Sequence, residues 1–212
     1  MTTTRILMLR HGQSVWNAVG RWQGQADPPL TEHGEEQAYL ASQHLGLFDL
    51  VIASDLERAR RTAEIIAAQL GIGPVRTDPR LRENGAGEWE GLTSAQIEEG
   101  WPGYLEAHRR PPGFEPPEQV EVRLLGALVE VAREVGDGEV LAIAHGGVIR
   151  VLRRLLEETD VRIPNVGGSW FTVVQDPAAP MGVRVEAGEV VRLLDEPVEA
   201  APAAQDADAD RL

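Results

Sequence analysis

Apolar residues recur along this chain in two rhythms. Unbroken runs stand at Arg5 to Leu9 (after the leading arginine, Ile6-Leu7-Met8-Leu9), Leu50 to Ala53 and Val140 to Ala144. A short run with no polar alternation marks a strand buried on both faces. Between these runs the apolar positions return every three or four residues. That spacing predicts helices over Gly34–Leu45, Leu56–Leu70, Gln119–Val135 and Val148–Glu158. Thr31 is placed to cap the first of them, and Gly71 with Gly73-Pro74 to end the second. Thr93 is placed to cap a short helix through Glu99. Gly85–Gly91 and the proline-rich Arg109–Pro117 read as loops. Trp170–Val174, Val183–Val185 and Val190–Leu194 read as closing strands. Strands alternating with helices predict an α/β fold: a doubly wound, mainly parallel sheet flanked by helices on both faces. We expect one domain over residues 1–198, with a lid or insertion at about 92–118. The Ala/Asp/Pro-rich tail, residues 199–212, is expected to be disordered.

Composition removes several chemistries. The chain has 212 residues and no cysteine, so a disulfide framework, a thiol nucleophile and a cysteine-held metal are excluded. All 20 basic residues are arginine. Without lysine there is no Walker-type P-loop lysine, kinase strand lysine or Schiff base. Any bound anion must be met by arginine, backbone N–H groups or histidine. The formal net charge of −14 argues against a nucleic-acid partner. No apolar run reaches the length of a membrane span, and the first residues lack a secretory pattern. The expectation is a soluble, cytoplasmic protein.

The candidate chemistry stands at strand ends. The first strand runs into Arg10-His11-Gly12, the second into Ser54, and the third into His145-Gly146-Gly147. Ligands of open α/β sheets bind at the carboxyl ends of the strands. A single histidine there is more often a structural hydrogen bonder than a catalyst. Two in the same context point to one site, with Gly12, Gly146 and Gly147 letting backbone approach a bound group.

Five blocks, "LRHGQSVWN", "RWQGQADPPLTEHG", "SDLERARRTAE", "LRENGAGEWEGLT" and "AHGGVIR", follow in order between Arg5 and Val174. Together they resemble the histidine phosphatase superfamily, in its phosphoglycerate-mutase-like branch. The resemblance implies that His11 is a nucleophile carrying the phosphoryl group as phosphohistidine. Arg10, Arg58 and His145 would surround that group, and Asn17, Gln23 and the Gly146 backbone would help bind it. Glu83 would be the general acid and base, with Glu88 and Glu90 as nearby alternatives. Arg60 and Arg61 are expected to be solvated or paired with acids, and His33 and His44 to be surface histidines. No cofactor is expected. No metal is expected either, because the histidines show no HxH, HxxxH or HExxH spacing.

The implied activity is metal-independent hydrolysis of small phosphate monoesters. Alternatives are a cofactor-dependent phosphoglycerate mutase and a non-catalytic module that binds phospholigands. The stretch "LRENGAGEWEGLTSAQIEEGWPG", with the later "NVGGSW", is also similar to glucosyl-3-phosphoglycerate phosphatases. Family members often carry Gly-Glu-Ser at the start of the long helix, where this chain has Pro117-Glu118-Gln119-Val120. Arg109 and Arg110 are candidates for a substrate carboxylate or a solvated pair, and His108 and Trp101 are candidate lid residues. Relatives of this kind are often dimers, so a homodimer is an expectation.

Overall fold

Two interiors, one on each face of a sheet, explain the unbroken apolar run of the first strand. The computed structural model describes residues 2–179 and 181–195. In β1 (Thr3–Arg10), Ile6 and Met8 enter one core while Leu7 and Leu9 enter the other. β4 (Gly138–Ala144) divides the same way, with Val140, Ala142 and Ala144 on one side and Leu141 and Ile143 on the other. Each of the buried Ile, Leu, Val and Met side chains contributes about 1.5–3 kcal/mol relative to exposure.

The remaining elements are α1 (Val15–Ala18), α2 (Glu32–Ser42), β2 (Leu50–Ala53), α3 (Glu57–Leu70), β3 (Arg76–Thr77), α4 (Ser94–Gly100), α5 (Pro117–Val135), α6 (Gly146–Leu155), β5 (Gly168–Gln175) and β6 (Val183–Val191). The six-stranded sheet has the order β3-β2-β4-β1-β5-β6. β3, β2, β4 and β1 run parallel, β5 is antiparallel to β1, and β6 is antiparallel to β5. α5 and α6 cover one face, and α2 and α3 the other. The fold class expected from the sequence is therefore what the chain adopts.

Capping decides the helix starts as expected. Thr31 Oγ1 accepts from the Gly34 amide (3.0 Å) and Thr93 Oγ1 from the Gln96 amide (3.3 Å). Gly71 takes a left-handed φ of 68° and ends α3.

Several boundaries differ. α6 begins at Gly146, two residues before the apolar periodicity, because its first turn is held by contacts to its backbone rather than by burial of side chains. The two expected closing strands are one strand, β6, whose outer half alternates in burial as an edge strand covered on one face does. The Gly85–Gly91 loop contains a 3-10 turn at Gly87–Trp89 that buries Trp89 completely. β3 has only two residues and carries no periodic signal. Segment 92–118 contains α4 and the connector, and packs through a small third core of Trp22, Ala86, Trp89 and Ile97. The expected 199–212 tail, and the 198 boundary, lie outside the described residues.

Candidate active site

Parallel pairing brings the strand tips together. His11 follows β1 and donates its backbone N–H to Ala144 of β4 (3.1 Å), while Ser54 after β2 donates to Ile143 (2.9 Å). The His11 and His145 rings consequently stand edge to face, with centroids 5.1 Å apart. Both are buried, at 2% and 0% exposure.

The tautomer of His11 follows from its partners. Nδ1 lies 2.6 Å from the Gly12 carbonyl, which can only accept, so Nδ1 carries the proton. Nε2 is left with its lone pair and receives a hydrogen bond from Arg58 Nε at 3.2 Å. Burial, then the charges of Arg58 and Arg10, push the imidazole well below its usual value of 6.5. Burial thus favours the neutral ring, whose one in-plane lone pair, on Nε2, accepts the Arg58 N–H in this structure.

Arg58 is the second residue of α3 and is wholly buried. Its two terminal nitrogens donate to Ala26 O (2.7 Å) and Gly24 O (2.9 Å), so it also holds the loop that crosses the site. Burial lowers its pKa to about 10, which leaves it charged at neutral pH. Arg10 donates to Ile163 O at 2.9 Å and lines the same cavity. Both ring nitrogens of His145 lack a partner among the described residues. Burial, then Arg58, keep this ring neutral too. A buried polar group with no partner is costly, and a bound anion would supply one.

Glu83 comes from the loop after a 3-10 turn at Pro79–Leu81. Its carboxylate accepts from the Gly147 (3.0 Å) and Val148 (3.1 Å) amides in the first turn of α6, and from Asn84 (3.0 Å). A Cβ on Gly147 would lie 2.5 Å from Glu83 Oε1, so the glycine is required for this approach. Gly12 has a different close neighbour. A Cβ there would meet the Gly34 carbonyl at 2.3 Å, so Gly12 is needed to seat α2 against the strand tip.

The cavity is lined by Arg10, His11, Asn17, Gln23, Arg58, Glu83 and Gly146, among others. All the residues expected at the site except His145 contribute to its wall, and His145 packs beside His11. Glu88 is exposed, and Glu90 binds the Gln25 amide (2.8 Å); neither lines the cavity. Arg60 and Arg61 pair with Glu64 (2.6 Å) and Glu35 (2.7 Å). The two connector arginines diverge. Arg109 stacks on Tyr104 at 4.1 Å, whereas Arg110 stacks on Phe114 at 4.9 Å and reaches the cavity. Trp101 packs in the third core, 6.4 Å from Trp89, and His108 (φ 54°) precedes the connector; neither lines the cavity.

Sequence reasoning missed Ser14. It caps α1, its hydroxyl donates to Gln23 Oε1 (2.6 Å), and its amide donates to Asn17 Oδ1 (3.2 Å). With both side-chain oxygens engaged, the amide nitrogens are the ends that can donate to an anion. The Ser-x-x-Asn spacing is a faint form of the capping-box signal. Also missed were Glu115 and Arg123. In the stretch Pro117-Glu118-Gln119-Val120, which stands in place of Gly-Glu-Ser, Glu118 is exposed; the carboxylate beside the Glu83 segment is Glu115, two residues before α5.

Residues 6–167 match the Histidine phosphatase superfamily (branch 1). The chain is 40% identical over 190 residues to glucosyl-3-phosphoglycerate phosphatase of Mycobacterium tuberculosis, covering 80% of this chain and 85% of that protein. It is 38% identical over 208 residues to a probable phosphoglycerate mutase GpmB of Erwinia tasmaniensis, covering 90% and 95%. Among solved structures it resembles a mycobacterial glucosyl-3-phosphoglycerate phosphatase in complex with VO3, with a TM-score of 0.72 and 34% identity over 87% of this chain and 96% of that one. The chain belongs to branch 1 of the histidine phosphatase superfamily, and it is a phosphomonoesterase of that type.

Proposed function

We propose that the chain hydrolyses small phosphate monoesters in two steps through a phosphohistidine on His11. His11 Nε2 attacks phosphorus, the P–O bond to the leaving group breaks, and its electron pair passes to the bridging oxygen. Glu83 gives that oxygen a proton. Water then attacks the phosphohistidine and loses a proton to Glu83. The N–P bond breaks with its electron pair returning to His11, and inorganic phosphate leaves. The observation that carries this reading is the fixed tautomer of His11: Nδ1–H on the Gly12 carbonyl, and Nε2 facing Arg58 in the cavity that Glu83 lines.

The flanking cations have a separate role. Phosphoryl transfer asks the protein chiefly for alignment and for stabilisation of charge on three equatorial oxygens. Arg10, Arg58, His145 and the amide ends of Asn17 and Gln23 supply donors around one tetrahedral anion. Each charge-assisted bond is worth about 1.5–3 kcal/mol.

The substrate class we favour is a phosphorylated sugar-glycerate of the kind named for the relative of 40% identity. No helix among the described residues is long and apolar enough to cross a membrane. A cytoplasmic homodimer is part of the proposal, to be checked by fractionation and by the mass of the protein in solution. The test is a panel of glucosyl-3-phosphoglycerate, 3-phosphoglycerate, and sugar and nucleotide monophosphates, run with EDTA-treated protein. We expect phosphate release without added metal, inhibition by vanadate, and a preference for the sugar-glycerate. Activity that requires metal and survives His11→Ala would reject the mechanism. The second reading, a mutase, is kept because of the relative named a probable phosphoglycerate mutase. It predicts bisphosphate-stimulated exchange of 2- and 3-phosphoglycerate.

A further inference from the structure

A guanidinium that touches no reacting group has all its donors committed behind the site. Arg123, on α5, donates Nε to Glu115 Oε1 (2.7 Å) and Nη2 to Glu115 Oε2 (2.9 Å). Nη1 donates to the carbonyls of Arg80 (2.7 Å) and Arg82 (2.6 Å), and Nη2 to the carbonyl of Glu83 (3.1 Å). An arginine side chain offers five N–H donors, and all are used here. Glu115 in turn accepts from the Gly85 amide (3.0 Å) and from Gln25 Nε2 (3.4 Å), and Gln25 Nε2 also donates to the Glu83 carbonyl (3.2 Å). Burial alone would raise the Glu115 carboxyl. The bonds from Arg123, Gly85 and Gln25 hold it below the usual carboxylate range, so it remains an ionised partner.

The segment so held is the one that carries Glu83. Its backbone is gripped on one side by Arg123, while its carboxylate meets the first turn of α6 on the other. The Arg82 side chain adds a two-bond pair to Asp55 at the tip of β2 (2.7 and 2.6 Å). A loop residue that must deliver a proton to one oxygen needs this kind of external support, because an error of about 1 Å can cost about a hundredfold in rate.

We propose that Arg123, locked by Glu115, is a positioning residue for proton donation by Glu83. It sets where the carboxyl group stands relative to the leaving oxygen without contacting substrate. The proposal rests on the role assigned to Glu83 above. It predicts a signature that loss of stability would not give. An alkoxide leaving group needs the proton from Glu83, whereas nitrophenolate departs as a stable anion without one. Displacing Glu83 must therefore harm alkyl phosphates selectively.

The experiment measures kcat/KM for 3-phosphoglycerate and for p-nitrophenyl phosphate in Arg123→Lys, Arg123→Met and Glu115→Gln, with Glu83→Gln as the benchmark. We expect the alkyl ester to lose about 10- to 100-fold in Arg123→Met and the aryl ester less than about 3-fold, a fraction of the 10²–10⁴ that general acid catalysis contributes. Arg123→Lys should recover only part, because a point charge cannot replace a planar fork. Glu115→Gln keeps the side-chain shape and is read alongside them, so the outcome does not depend on Arg123→Met folding. Equal loss of both esters, or no loss, in Glu115→Gln and Arg123→Lys overturns the proposal. If Glu83→Gln itself shows no selectivity between esters, the role of Glu83 as acid has failed instead.

Discussion

The floor of the cavity and its roof are built on different principles. The floor is made where elements end: His11 after β1 and Arg58 in the first turn of α3, backed by His145 after β4, which packs against His11. Its position follows from strand order and register, and its three groups are at most 2% exposed. The roof consists of the turns after Glu83 and the proline-rich connector, which send Asn84, Ala86, Arg110 and Phe114 to the cavity. It is held by the small aromatic core around Trp89, where the Trp22 and Trp89 rings meet edge to face at 5.1 Å. On the proposed mechanism, chemistry common to all substrates falls to the sheet, and selection among substrates to a region with its own packing.

That division can be broken from either side. The largest effect is expected at the floor: His11→Ala should lower kcat by about 10⁴-fold or more on every substrate, as removal of a nucleophile does. Arg58→Lys should lower kcat/KM by about 10²–10³-fold, again on every substrate, since on the proposed mechanism it removes a donor to the developing charge. Steady-state rates across the phosphate panel check both. At the roof, Phe114→Ala should change the preference between large and small substrates by about tenfold, with the rate on p-nitrophenyl phosphate little altered. A uniform loss across the panel would show that floor and roof are not separable.

The floor also predicts a pH effect on stability. His11 and His145 have folded pKa values well below 6.5, so the unfolded chain binds their protons first as pH falls. Stability from this source is fully present above about pH 6.5 and declines below it. Each histidine adds a slope of up to about 1.4 kcal/mol per pH unit until its folded pKa is reached. The paired carboxylates Asp55 and Asp160 are lowered from 3.8, so their contribution is lost at lower pH. Urea unfolding between pH 7 and 5 measures the histidine window, and His145→Gln should reduce the slope.

The same division governs what the sequence discloses. Floor residues stand next to strong signals, namely apolar runs that end abruptly in His11-Gly12 and His145-Gly146, and Arg58 in the first turn of a periodic helix. The double apolar faces of β1 and β4 made the sheet legible for the same reason. The supporting groups carry no such mark. Ser14 acts through a one-turn helix, and Arg123 sits on an amphipathic helix where an arginine ordinarily reads as solvated. Glu115 lies among prolines with no period to place it. Their roles depend on contacts between segments distant in sequence: Arg123 to Glu83, and Gly12 to Gly34. The single strand β6 was split in reading because its edge position gives Glu186 and Glu189 to solvent.

The most direct measurement is a rapid quench of the enzyme with p-nitrophenyl phosphate, followed by digestion under alkaline conditions and mass spectrometry. The account predicts one acid-labile phosphoryl group per chain on the peptide containing His11. It should form as fast as nitrophenol is released and decay no slower than turnover. Turnover with no phosphate on protein, or with phosphate on any other residue, would contradict it.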